Sequence, residues 1–229
     1  MKKFVIIVAG GSGSRMGTEI PKQFLELDGK PVLMHTIRIF HDFDPTSEII
    51  LVLPPDQQQF WKALCLKHSF DLAHQVVSGG QTRFHSVKNG LAKINESGIV
   101  FIHDGVRPLV SAETLKRCLE TAREKGNAIP VLPVHESLRK SEGETTVSVD
   151  RSLYFSVQTP QTFRTEQILE AFKQDFDPAF TDDASVTEKA GFSIQLVEGN
   201  RENIKITTPT DLIIAEAFLK MAAIDSAHF

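Results

Sequence analysis

Phe4-Val5-Ile6-Ile7-Val8, running straight into Ala9-Gly10-Gly11-Ser12-Gly13-Ser14-Arg15-Met16-Gly17, is the stretch on which the fold turns. Five apolar residues, four of them β-branched, have the length and composition of a buried strand. The glycines that follow let the backbone turn sharply, so that several N–H groups can point at one anion. Arg15, and Lys22 in the adjoining Ile20-Pro21-Lys22-Gln23-Phe24, add two cations. Neither familiar phosphate loop fits. No Gly-Lys-Ser or Gly-Lys-Thr completes a Walker pattern, and Gly11, Gly13 and Gly17 are spaced GxGxxxG rather than GxGxxG. A triphosphate suits a loop that carries its own cations. An ordinary glycine-rich turn would explain the glycines, but not the glycines together with Arg15 and Pro21-Lys22-Gln23-Phe24.

Further strand-like runs at residues 48–53, 74–78, 99–103, 128–133 and 193–198 alternate with segments of helical period. Alternation of this kind predicts an α/β fold: a Rossmann-like, mostly parallel sheet with helices on both faces. Pro31 suits a first helical position before Val32-Leu33-Met34. Val87, Leu91 and Ile94, and then Leu115, Leu119 and Ala122, repeat at helical spacing and read as core. The final helix should start with Thr208 as N-cap, Pro209 inside the first turn and Asp211 beside the helix dipole, burying Leu212, Ala215 and Leu219. A chain of 229 residues fits one domain over residues 1–229. Residues 135–150 break the pattern. They read as two short polar strands around Ser141-Glu142-Gly143-Glu144, with too little apolar surface to fold alone, and so predict a protruding hairpin arm. The simplest cover for such an arm is the same element of a second copy, giving a two-fold homodimer; folding back on its own domain is the alternative.

Composition closes off other classes. The net charge of −4, from 25 Lys plus Arg against 29 Asp plus Glu, argues against a broad nucleic-acid surface, which needs many phosphate contacts. No apolar run is long enough to span a membrane and no secretory leader is recognisable, so a cytoplasmic protein is expected. Cys65 and Cys118 lack metal-ligand spacing and read as buried, reduced thiols. Trp61 and Tyr154 read as packing residues.

In open parallel sheets, ligands sit beyond the carboxyl ends of the strands. Residues just after the predicted strands are Gly10 to Lys22; Gly79, Gly80, Arg83 and Ser86; Asp104 and Arg107; and Asn203-Ile204-Lys205-Ile206-Thr207. Five cations and one carboxylate are thereby expected on one rim. Asp104 at a strand end, facing bound phosphates, suits Mg²⁺, which needs only one or two carboxylates; a turn-capping role is the plainer reading. His103 reads as a packing or hydrogen-bonding neighbour of the site, and the other histidines share no metal-binding spacing.

The strings AGGSGSRMG, PKQF, GGQTRFHSV, HDGVRP, VDR, QTPQTF, TDDAS, LVEG and NIKIT occur in this order between about Phe4 and Leu219. In them the chain resembles the 2-C-methyl-D-erythritol 4-phosphate cytidylyltransferases of the non-mevalonate isoprenoid pathway. The resemblance implies transfer of CMP from CTP to methylerythritol phosphate with a divalent cation, Mg²⁺. It implies that Arg15 and Lys22 grip the triphosphate and stabilise the transition state, and that Ala9, Gly10, Gly11, Gly79, Gly80 and Ser86 frame cytosine and ribose. Asp104 is implied near Mg²⁺. Arg151, Lys205 and Thr207 are implied to hold the methylerythritol phosphate, with Thr181 a further substrate-side residue and Arg107 at the floor. Ser137 and Arg151, carried by the arm, are implied to complete the neighbouring subunit's site. Two positions depart from the pattern: Ser137 stands where the family often has Thr, and Gln81 replaces an acidic residue of some members. Ribitol-5-phosphate cytidylyltransferase shares the glycine loop and PKQF but is less well matched by TDDAS and VDR. A non-catalytic nucleotide-binding protein would have little use for Arg15, Lys22 and Lys205 together.

Overall fold

The computed structural model describes residues 1–10 and 20–226. Strand β1 is Lys2–Val8. The chain re-enters through a 3₁₀ turn at Lys22–Phe24, and a small antiparallel pair, β2 (Glu26–Leu27) and β3 (Lys30–Pro31), leads into α1 (Val32–Phe43). Then follow β4 (Glu48–Leu53), α2 (Pro55–Lys67), β5 (Gln75–Ser78), α3 (Arg83–Leu91), β6 (Gly98–Asp104), α4 (Ala112–Lys125) and β7 (Asn127–Pro133). Beyond them lie β8 (Arg139–Glu142), β9 (Thr145–Ser148), β10 (Phe155–Val157), β11 (Gln161–Arg164), α5 (Thr165–Ala171), α6 (Asp183–Lys189), β12 (Leu196–Glu198) and α7 (Pro209–Ser226). No helix among the described residues is long and apolar enough to cross a membrane.

The central sheet is α/β and mostly parallel. β5, β4, β1 and β6 pair in parallel in that order, and β12 pairs in parallel with β7. β11 lies between β6 and β7, antiparallel to both, and β10 is also antiparallel to β7. β1 shows why the sheet is covered on both sides. Val5 and Ile7 join one buried cluster, with Leu33, Met34, Ile37 and Phe40 of α1, Trp61 of α2 and Leu115, Cys118, Leu119 and Ala122 of α4. Phe4 and Ile6 join the opposite cluster, with Phe84, Val87 and Leu91 of α3 and residues of α5 and α6. Alternate side chains of one strand thus feed two cores, each fully buried Ile or Phe contributing about 1.5–3 kcal/mol.

Several sequence expectations shift. Pro31 ends β3 in an extended conformation and caps α1 from outside, rather than filling its first turn. β10 and β11 are additional antiparallel strands; each has three or four residues, too few for a visible period. Tyr154 is 46% exposed, whereas Trp61 is buried and donates from Nε1 to His74 Nε2 at 2.9 Å. The start of α7 matches its predicted chemistry: Thr208 N–H donates to Asp211 Oδ2 at 2.7 Å, and Asp211 N–H returns to Thr208 Oγ1 at 3.4 Å. Ala215, with Leu212 and Leu219, seats α7 against Leu27, Val32, Val106 and Ile206.

The hairpin forms as β8 and β9, paired from Arg139–Ser148 to Glu142–Thr145. Gly143, with φ of 71°, takes the first turn position, where a positive φ suits the strand twist. Every residue of both strands is exposed.

Candidate active site

The site is built where four parallel strands end. The ladder runs one residue past the strands: Ala9 N–H donates to Val52 O at 3.0 Å, Gly79 N–H to Leu53 O at 2.8 Å, and Gly105 N–H to Val8 O at 2.8 Å. Each chain exit is therefore fixed beside its neighbour. They open into a cleft of about 320 Å³, whose wall includes Ala9, Gly10, Lys22, Gly79, Gly80, Ser86, Asp104 and Lys205 from the sequence-predicted set.

The two residues after Lys22 share the work of aiming it. Phe24 is buried against Trp61 and Phe60, at centroid distances of 6.2 and 5.2 Å. Gln23, fully buried, donates from Nε2 to Ala9 O at 2.9 Å and to Gln57 Oε1 at 2.6 Å. Lys22, only 8% exposed, is thereby directed to the cleft wall. On the opposite wall Gly80 N–H donates to Ser86 Oγ at 3.1 Å. A Cβ at Gly80 would overlap the Cβ of His85, so this close approach requires glycine.

Asp104 is the hub. Its Oδ2 lies 2.9 Å from Lys205 Nζ and 3.4 Å from Arg107 Nε, and its Oδ1 lies 3.6 Å from Arg83 Nε. Burial alone would push its carboxyl up, but Arg83, Lys205 and Arg107 outweigh that and hold it well below the ordinary carboxylate range. Arg83 turns its other edge away, donating from Nη1 and Nη2 to the buried Asp183 carboxylate at 2.8 and 2.6 Å. Arg107 is fixed by a second bond, from Nη1 to Asn203 O at 2.7 Å, and Asn203 is tied in turn to Thr159 O and Gln158.

His103 is a buried tie. Thr159 Oγ1 accepts Asp104 N–H at 3.1 Å and donates to His103 Nδ1 at 3.0 Å, leaving His103 Nε2–H to donate to Arg107 O at 3.0 Å. Burial pushes the imidazole down to about 4, so it is neutral at pH 7 and already engaged at both nitrogens.

The remaining predicted residues lie elsewhere. Thr207 donates its hydroxyl to Asp211 Oδ2 at 2.8 Å at the start of α7. Thr181 is exposed, its N–H bonded to Ser185 Oγ at 3.1 Å, beside a small crevice next to Arg83 and Asp183. Ser137 is exposed, and Arg151 is exposed on a 3₁₀ turn where it donates to His135 O. Neither lines the cleft. Gly11 and Arg15 lie outside the described residues.

Sequence reading gave no role to Gln23, Thr159, Asn203 or Asp183. The available signal was polarity inside apolar surroundings: each of these sits in PKQF, QTPQTF, NIKIT or TDDAS and is buried.

Among the described residues no three His, Cys, Asp or Glu side chains gather as a metal cluster. Asp104 nevertheless suits a cation that takes one carboxylate and completes its shell from phosphates and water. The closest approaches of Lys205 and Arg107 are to Oδ2, and Arg83 comes no nearer to Oδ1 than 3.6 Å, too long for a hydrogen bond, so that oxygen keeps coordinating capacity.

Known proteins resemble this chain in sequence and fold. A 2-C-methyl-D-erythritol 4-phosphate cytidylyltransferase of Bacteroides thetaiotaomicron is 55% identical over 96% of this chain and 100% of its own length. One from Porphyromonas gingivalis is 50% identical over 95% of this chain and 98% of its own. The crystal structure of the Thermus thermophilus enzyme superposes with a TM-score of 0.78 at 33% identity, covering 96% of this chain and all of that one. The family model for 2-C-methyl-D-erythritol 4-phosphate cytidylyltransferase matches residues 3–221, and the chain belongs to that family.

Proposed function

We propose that this cleft transfers CMP from CTP to 2-C-methyl-D-erythritol 4-phosphate, releasing pyrophosphate and 4-diphosphocytidyl-2-C-methyl-D-erythritol. The observation that carries the residue assignment is the convergence of Lys22, Arg83 and Lys205 with Asp104 in one glycine-framed cleft at the strand ends. The titratable groups on its described wall are cations and one ionised carboxylate, with no group suited to remove a proton. None is required. A phosphate monoester has a second pKa near 6, so roughly nine-tenths of it is a dianion at pH 7 and attacks as it stands.

The reaction needs two repelling phosphates held in line and the charge on the α-phosphoryl and departing pyrophosphate oxygens offset. Lys22 and Arg15 neutralise the triphosphate and the transition state, and Ala9, Gly10, Gly11, Gly79, Gly80 and Ser86 receive the nucleoside. Lys205, with Thr207, Thr181, Ser137 and Arg151, holds the acceptor, and Arg107 braces Asp104 from below. Asp104 would hold Mg²⁺, which when bound shields the triphosphate charge. One domain over residues 1–229 does this work, with residues 135–150 reaching a second copy. Support for the dimer comes from exposed apolar side chains in and just beyond the arm, Val147, Leu153, Tyr154, Phe155 and Val157. The setting is cytoplasmic: both cysteines are free, and burial raises Cys65 to about 11 and Cys118 to about 12.

Pyrophosphate release from CTP and Mg²⁺ is the test, with methylerythritol 4-phosphate and ribitol 5-phosphate run in parallel. Release with the former alone is expected. Release only with ribitol phosphate would move the acceptor specificity, and release with neither would leave a nucleotide-binding protein.

A further inference from the structure

Arg83 sits between two carboxylates, and the geometry treats them unequally. Asp183 takes both terminal nitrogens in a fork at 2.8 and 2.6 Å, while the closest approach to Asp104 is Nε to Oδ1 at 3.6 Å. Asp183 is itself immobilised. Gln161, on β11 beside the strand that ends at Asp104, donates from Nε2 to Asp182 Oδ2 at 2.7 Å and accepts Ala184 N–H on Oε1 at 2.8 Å. Asp182 accepts Ser185 N–H at 2.9 Å and caps α6. The residues on both sides of Asp183 are thus pinned to the sheet, and Asp183 is fully buried.

A buried ion pair is a weak source of stability, because desolvation of the two charges offsets most of their attraction. Its geometric effect is better defined. A guanidinium prefers a two-pronged grip on a carboxylate. If Asp183 released the terminal nitrogens, the nearest remaining carboxylate is Asp104, and a fork there would occupy Oδ1.

We infer that Asp183 is a positioning residue: it holds Arg83 by its terminal nitrogens so that the guanidinium cannot clamp Asp104, keeping one Asp104 oxygen for a divalent cation. The inference rests on the reading of Asp104 as the cation-holding carboxylate. It assigns the function of TDDAS to its buried third residue.

The test uses the full chain with Mn²⁺ as the probe and CTP present, acceptor omitted, and reads bound Mn²⁺ from loss of the free-ion electron paramagnetic resonance signal. Asp183→Asn should weaken Mn²⁺ binding about 10-fold or more, the size typical when a partner behind a metal ligand is removed. The double variant Arg83→Gln with Asp183→Asn replaces the ion pair by two facing amides and removes the guanidinium that would clamp Asp104. Because Arg83 also faces the cleft, the double variant is read against the single one, and it should bind Mn²⁺ at least about 3-fold more tightly than Asp183→Asn. Recovery in the double variant is the decisive sign, because a purely structural Asp183 would leave the double variant no better than the single. If Asp183→Asn does not fold, Asp183→Ser replaces it in both the single and the double variant: recovery in the double supports the inference and no recovery overturns it. Asp104→Asn separates the two layers. Weakened binding there with unchanged binding in Asp183→Asn overturns the positioning role alone; unchanged binding in Asp104→Asn overturns both.

Discussion

The cleft and the arm are opposite kinds of structure. Around Asp104, polar side chains are buried and held at two or more points: His103, Thr159, Asn203, Gln158 and Gln23 each bond to backbone as well as side chain or fill two partners. In the arm, β8 and β9 are wholly exposed, and Arg151 and Ser137 stand outside the cleft. A catalytic group must be held to within a fraction of an ångström, which the first region provides from within one chain and the second does not. On the proposed function, the described nucleotide half draws on one subunit, and the acceptor half calls for something that covers the arm.

Removing a group from the nucleotide half should have the largest effect. Lys22→Ala is expected to lower kcat by roughly 100-fold or more, the cost of losing one preorganised charge-stabilising donor, with a smaller change in KM for CTP. A normal kcat with only a raised KM would reduce Lys22 to a binding residue.

Acid should also tell the regions apart. His103 is buried neutral with its pKa lowered to about 4, against a free value of 6.5. Between those values the unfolded chain binds a proton that the folded chain does not, so stability falls as pH drops from 6.5 towards 4. The loss should approach roughly 3 kcal/mol, and Asp104, also held below its free value, should add to it in more acid solution. Thermal melts of wild type and His103→Gln across this range check it; a parallel pH dependence in both would contradict the assignment.

A pair of glycine substitutions gives the smallest and most local contrast. Gly80→Ala forces overlap with His85 and should raise KM for CTP several-fold. Gly143→Ala meets no atom within 4 Å but must hold a positive φ, so it should cost about 1 kcal/mol confined to the arm, leaving the global melt in place. A change in KM for CTP from Gly143→Ala would erase the distinction between the regions.

Much of this architecture was legible in advance. Long apolar strands such as residues 4–8 and 99–103 announce themselves because burial on both faces leaves no polar interruption. The cap of α7 was legible from Thr208, Pro209 and Asp211 because capping is local chemistry. β10 and β11 were not, since a strand of three or four residues is specified by its neighbours β6 and β7 rather than by its own pattern. The cations and Asp104 could be read from their positions after strands, whereas the Arg83–Asp183 fork joins residues 100 positions apart and has no local signature. Tyr154 misleads for a related reason: its apolar ring reads as core until the fold places it on an exposed edge.

The central claim is that one chain supplies the nucleotide half of each site and the arm of a second chain supplies part of the acceptor half. Lys22→Ala and Arg151→Ala subunits, co-expressed with different tags and purified as the mixed dimer, test it directly by CMP transfer rate. If the arm crosses over, one of the two sites in the mixed dimer is intact, and activity should return to about half of wild type, as two-fold symmetry requires. Activity no higher than that of the parent variants would place Arg151 in its own subunit's site and contradict the account.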